Sequence, residues 1–209
     1  MNKLLSKLLI GIDFDGDIQK DSYNLLIHYG QEEVAKHSLK VANEAKKIAK
    51  KFGINQESAF IAGCLHDISK VYSDSEKIEV AKVLGIKVLN EEEEVPSLLH
   101  QKLSKIMAVE IFRITDEDIL SAIECHTTLR NEVKEMDMIL FVADKLQWDL
   151  NHSEGFRKNV IKGLDISLGQ AAFEYVNYML KNKDNMKVVH PWMLDAYNYL
   201  KDRCKCFRL

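Results

Sequence analysis

Residues 32–52 read Glu-Glu-Val-Ala-Lys-His-Ser-Leu-Lys-Val-Ala-Asn-Glu-Ala-Lys-Lys-Ile-Ala-Lys-Lys-Phe, and the reading of this stretch decides the fold. Val34, Val41, Ala45, Ile48 and Phe52 recur at spacings of three, four and seven, one stripe of an amphipathic helix. His37 lies on that stripe, so its imidazole is directed at a core rather than at water. Gly53 supplies the stop, and Asn55 the N-cap of a second helix expected over about Gln56 to Ile68.

The same period continues outward. Ser73, Asp74 and Ser75 form a polar break before a helix predicted from Glu76 to Leu84 and closed by Gly85. Glu91 to Glu94 followed by Pro96 reads as an exposed acidic loop. Pro96 then opens a helix through Leu99, Leu103, Met107 and Ile111. Further helical segments are expected over Asp116 to Cys125, Asp137 to Trp148, about Ser153 to Lys181, and Pro191 to Arg203. No alternating strand pattern or hairpin signal occurs, so the fold class is all-α, in one domain.

Composition narrows the function classes. The chain has 209 residues, 46% hydrophobic and 29% charged, enough for one substantial core. A net charge of -3 argues against duplex nucleic acid as a partner. The purest apolar run, Met138 to Ala143, is far short of the roughly 20 residues that cross a bilayer. The N-terminal stretch Leu4 to Ile12 contains Lys7 and runs into Asp13, Asp15 and Asp17, unlike a signal peptide. Cys64, Cys125, Cys204 and Cys206 lack the paired spacing of a zinc site and read as reduced thiols, which places the protein in the cytoplasm.

The chemistry lies in histidines and aspartates at core-facing positions. His66 and Asp67 follow the apolar segment Ala59 to Leu65, His100 ends the Ser97-Leu-Leu99 turn, and His126 follows Ala122 and Ile123 on a buried face. Asp144 follows a run so apolar that its helix must be buried nearly all round. An ionised carboxylate there needs a cation or a metal. Six such residues exceed the needs of one catalytic zinc and suit two metal ions, with Asp67 able to bridge them. Mixed His/Asp ligands are compatible with iron, manganese, cobalt, nickel or zinc.

The ordered set His37, His66-Asp67, Asp144 resembles the signature of the HD superfamily of metal-dependent phosphohydrolases. Its finer pattern is similar to the symmetrical bis(5′-nucleosyl)-tetraphosphatases: Gly63-Cys-Leu-His66-Asp67-Ile-Ser-Lys70, Leu98-Leu-His100, Ala122-Ile-Glu-Cys-His126-Thr127-Thr128 and Ala143-Asp144-Lys145. A weaker match covers His190-Pro191 through Ala196-Tyr197-Asn198. The resemblance implies a helical HD-type domain over residues 31–203, preceded by an N-terminal extension and first helix over residues 1–30. It implies two metal ions, iron first, with His37, His66, Asp67 and Asp144 around one and Asp67, His100 and His126 around the other. The implied activity is cleavage of diadenosine tetraphosphate into two ADP by a metal-bound hydroxide. Asp67 and Lys70 would be catalytic, and Lys70, Thr127, Thr128 and Arg130 would contact substrate. Relatives accompany a nicotinate-nucleotide adenylyltransferase, which implies a link to NAD metabolism; a homodimer is left open.

The pattern is departed from at Val34, where the family carries arginine, at Gln101, where it carries a small residue, and at Gln147-Trp-Asp-Leu150, where it carries Glu-Pro and then arginine. Two further readings follow: a nucleotide-binding regulator with little turnover, and a di-iron HD oxygenase, against which Lys70 argues. Asp13-Phe-Asp15-Gly16-Asp17 also looks like a phosphatase nucleophile segment or a calcium loop. The expected threonine is Asp17, and the loop's twelfth position is Asn24, so an irregular extension is expected instead.

Overall fold

Among the described residues asparagine, serine and aspartate start several of the helices that make the architecture, as at Asn2, Asp17, Asn55, Ser73, Asp116 and Ser167. The computed structural model describes residues 2–147 and 154–205. Its α-helices are α1 (Lys3–Lys7), α2 (Ile18–His28), α3 (Glu32–Phe52), α4 (Gln56–Leu65), α5 (Asp74–Val83), α6 (Asn90–Glu94), α7 (His100–Glu110), α8 (Glu117–Cys125), α9 (Glu135–Gln147), α10 (Glu154–Leu164), α11 (Leu168–Lys181) and α12 (Pro191–Lys205). Tight 3-10 turns occupy Ile68–Val71, Pro96–Leu99 and Lys183–Asn185. No strand occurs among the described residues.

Gly53 ends α3 at φ 73°, a left-handed conformation that an L side chain resists. Asn55 then starts α4 by accepting from the N–H groups of Glu57 and Ser58. The two helices approach closely because Gly63 has no Cβ: a methyl there would lie 2.4 Å from the Ala42 Cα. In the N-terminal extension, Asp17 caps α2 by accepting from Lys20 N–H, and Asp21 accepts from Asp15 N–H and Gly16 N–H. The acids of this segment are thus used in starting a helix.

Four elements differ from the sequence expectation. The second helix stops at Leu65 rather than near Ile68, because Asp67 leaves helical geometry (φ -112°, ψ 10°) and a 3-10 turn follows. The polar break at Ser73 belongs to α5, where Ser73 and Glu76 form a capping box. Residues Glu91 to Glu94 are helical rather than a loop, and Glu92 is fully buried, its carboxylate 2.8 Å from Lys102 Nζ. The segment expected over Ser153 to Lys181 is two helices, broken at Asp165–Ser167. There the Ser167 hydroxyl oxygen accepts from Gln170 N–H, and Gly163 lets the two backbones meet. Ser153 and Trp148 fall outside the described residues.

One hydrophobic core runs through the molecule, from Leu5 and Leu25 to Leu200. Helix α9 is its axis: from Met136 to Leu146 every residue except Met138 is buried. Helix α3 packs on α4 and α9, α8 on α7 and α9, and the α10–α11 pair closes over α9. The ends of α4, α7 and α8 and the last turns of α9 thereby converge on one point beside α3.

Candidate metal centre

Each candidate residue reaches that point from a different place in its helix. His37 comes from the second turn of α3, His66 and Asp67 from the residues just after α4, His100 from the start of α7, His126 from the residue after α8, and Asp144 from the last turns of α9. His66, Asp67, His126 and Asp144 are buried, and His37 keeps 26% of its side chain exposed toward a cavity of about 350 Å³.

The imidazoles are oriented by their own backbones. His66 Nδ1 donates to Gly63 O at 2.8 Å, His100 Nδ1 to Ser97 O at 2.6 Å and His126 Nδ1 to Ile123 O at 2.8 Å. A carbonyl can only accept, so all three rings carry their proton on Nδ1 and turn a bare Nε2 inward. His100 Nε2 and His126 Nε2 then face each other at 3.0 Å, two lone pairs in contact. His66 Nε2 and Asp67 Oδ1 have no hydrogen-bond partner among the described residues. Buried polar atoms are rarely left so. These orphaned acceptors fit a cation.

Around them the ligand atoms fall into two groups, His37, His66 and Asp67 in one and Asp67, His100 and His126 in the other, each within 4.8 Å. Asp67 is common to both: Oδ2 lies 3.5 Å from His66 Nε2, and Oδ1 lies 3.4 Å from His100 Nε2 and 3.8 Å from His126 Nε2. Asp144 Oδ1 lies 3.0 Å from His37 Nε2 and 3.8 Å from His66 Nε2, while its Oδ2 is 2.7 Å from the buried Lys145 ammonium.

Burial sets the protonation. It lowers the pKa of His66, drives that of His126 well below the ordinary range and pushes His100 down to about 4, so all three are neutral near pH 7. For Asp67 burial acts upward, but charge attraction, with the Lys70 ammonium 3.2 Å away, keeps the carboxyl below its usual value. Asp144 is held well below its ordinary value in the same way, with burial opposed by Lys145 and His37. Neutral imidazoles and ionised carboxylates are the forms that bind metal.

The expected substrate contacts divide. Lys70 Nζ stands 3.2 Å from Asp67 Oδ2 and lines the cavity, and so does Thr127, whose hydroxyl is 3.1 Å from His100 Nε2. Thr128 and Arg130 are not brought there. The buried Thr128 hydroxyl donates to Leu129 O, and the Arg130 guanidinium donates to Glu124 and Ser121. Three residues at the site were not anticipated as members. Lys145 neutralises Asp144, Glu33 lies at the cavity one helical turn before His37, and the Gln101 carbonyl accepts from Thr127 N–H at 3.1 Å. Adjacency to Asp144 and the i, i+4 spacing to His37 were the available signals for the first two.

The sequence profile of the HD domain family matches residues 34–149, more than half of the chain and all six of these residues. The chain belongs to the HD domain family. A relative from Lactococcus lactis subsp. cremoris, an uncharacterized protein in the pepC 5′ region, is 45% identical over 150 residues, covering 72% of this HD chain and 76% of that one. A symmetrical bis(5′-nucleosyl)-tetraphosphatase from Bacillus subtilis is 27% identical over 167 residues, covering 78% of this chain and 87% of its own. Among solved structures, a predicted HD superfamily hydrolase involved in NAD metabolism from Clostridium acetobutylicum superposes with a TM-score of 0.80 at 29% identity, over 92% of this chain and 100% of that one.

Proposed function

We propose that this HD-domain protein is a di-metal phosphohydrolase that cleaves dinucleoside polyphosphates, diadenosine tetraphosphate first among them, into two nucleoside diphosphates. The observation that carries this reading is the shared carboxylate: Asp67 serves both ligand groups, in the two-metal arrangement used for in-line phosphoryl displacement. His37, His66, Asp67 and Asp144 would hold one ion and Asp67, His100 and His126 the other, with iron as the first choice. Bound there, the pair supplies acidified water and charge neutralisation on phosphoryl oxygens.

The chain's own groups do the rest. Lys70, 40% exposed and facing the cavity, binds the polyphosphate as a point cation. The Thr127 hydroxyl, on a residue whose backbone N–H donates to Gln101, contacts the chain of phosphates beside His100. Lys145 keeps Asp144 ionised in a buried setting. In the reaction one P–O–P link is broken: water gives its oxygen to one phosphorus, and a proton ends on the oxygen left on the other. The relatives named for tetraphosphate hydrolysis and NAD metabolism support this substrate class. We place the enzyme in the cytoplasm, in keeping with the buried thiols of Cys64, Cys125 and Cys204, and assign the chemistry to residues 31–203.

Incubating iron-loaded protein with diadenosine tetraphosphate should yield ADP as sole product. AMP plus ATP, or no turnover, overturns the reading. A regulator with little turnover is favoured by one observation, the apolar Val34 on the cavity wall where the resembled family carries arginine. Tight metal-dependent ADP binding without hydrolysis would decide for it.

A further inference from the structure

A second chamber adjoins the first. It measures about 440 Å³ against about 350 Å³ for the cavity over the ligand cluster, and the two share Lys70, His100 and Thr127 as a common wall. Volumes of this order hold small ligands, about 300–1,000 Å³ being usual. The second chamber reaches from this wall to Gln31, Tyr72 and the Ser97–Leu98 turn.

Its chemistry is that of a nucleoside rather than of another phosphate. Leu98 is half-buried yet is not among the side chains packed on the core, and Val34 stands in the same position in the first chamber. Each chamber therefore offers one apolar side chain that the fold itself does not use. The Gln31 side chain makes no hydrogen bond to cap α3, although it holds the cap position. Lys77, the other cation of the second chamber, is tied 2.6 Å from Asp74 and donates to Tyr72 O. Both lysines are ion-paired, but Lys70 is 40% exposed against 5% for Lys77, and it stands where the chambers meet.

We propose that the chamber at Leu98 and Gln31 receives the second nucleoside of a dinucleoside polyphosphate, the first lying at Val34 and the polyphosphate crossing between them at Lys70. This rests on the functional reading above and adds to it a residue-level account of why the cut is symmetrical. Two chambers of similar size that meet at one wall place the midpoint of the bridge at that wall, beside His100 and Lys70. A substrate with a nucleoside at one end only leaves the second chamber empty.

Leu98→Trp fills that chamber. The test measures kcat/KM for diadenosine tetraphosphate relative to that for adenosine 5′-tetraphosphate, and this ratio should fall roughly tenfold or more. Calorimetric titration of the metal-loaded protein gives a second readout: affinity for a methylene-bridged dinucleotide should fall relative to affinity for ADP. Gln31→Trp repeats both measurements from the α3 end of the chamber, should Leu98→Trp not fold. Unchanged ratios in a folded variant, with wild type still yielding two ADP, overturn this inference and leave the functional reading standing. Wild-type protein that does not hydrolyse the dinucleotide overturns both.

Discussion

Two clusters of buried titratable groups share α7, which contributes His100 to the candidate metal-ligand cluster and Lys102 to a cluster with Glu92 and His190. In the second, Glu92 accepts from Lys102 Nζ at 2.8 Å and from Leu89 N–H at 2.8 Å. His190 Nδ1 accepts from Trp192 N–H, so its proton sits on Nε2, 3.5 Å from Glu92 Oε1. Here a donor faces each acceptor, with Glu92 Oε2 bonded and Oε1 only opposed, and the ammonium also lies 4.9 Å from the Trp192 ring. In the first cluster the tautomers are reversed: Nδ1 donates to the backbone, and bare Nε2 atoms converge with carboxylate oxygens. One cluster sets donors opposite acceptors, although Glu92 Oε1 and His190 Nε2 stand too far apart to bond. The other assembles acceptors and leaves room for cations.

The largest effect should come from removing the acceptor common to both ligand groups. Asp67→Ala is expected to lose bound metal and at least about a hundredfold in turnover, the scale on which even outer partners of a metal site act. Metal analysis beside a kinetic assay checks this; retained activity would mean that the centre lies elsewhere. Glu92→Ala breaks the comparison from the other side. It strands the buried Lys102 charge and should cost about 3–5 kcal/mol in urea unfolding, with metal content unchanged. Glu92→Met together with Lys102→Met should recover most of that loss.

Acidity separates the clusters more gently. In metal-free protein the His100 pKa is about 4 when folded and about 6.5 when unfolded, and burial is the main cause. The unfolded chain therefore takes the proton first. Stability is fully present above pH 6.5 and declines as pH falls from there toward 4, by up to about 1.4 kcal/mol for each pH unit. His66 and His126 act in the same direction. Urea melts of metal-free protein between pH 7.5 and 5 measure this; a flat profile would contradict the neutral-imidazole assignment. The smallest effect is expected at Arg130. Because its guanidinium is engaged by Glu124 and Ser121, Arg130→Ala should cost about 1 kcal/mol of stability and leave KM within about twofold.

Helical periodicity made the ligand-bearing faces legible, because a residue on an apolar stripe has only one direction to point. His37 on the α3 stripe and Asp144 within the α9 run are of this kind. Side chains beyond helix ends were less so. Thr127 and Thr128 are neighbours in sequence, yet one lines the cavity and the other turns to Leu129 O, a choice made by Gln101 twenty-six residues earlier. The acidic run at Glu91 to Glu94 has the composition of a solvated rim. Glu92 escapes that reading because Lys102 and Leu89 N–H are waiting for it, and only tertiary structure brings the former within reach. The α10–α11 break went unread in the segment expected over Ser153 to Lys181, although Gly163 and the N-cap Ser167 were the available signals for it.

Gly63 carries no chemistry, but it holds α4 against α3 and its carbonyl receives the His66 Nδ1 proton. One added carbon would wedge the helices apart and carry His66 away from His37 while leaving every candidate ligand unaltered. A random-mutagenesis search for lost activity should therefore return Gly63 beside the histidines. In this fold the tolerance of the reaction centre to change is set partly by an atom that is not there.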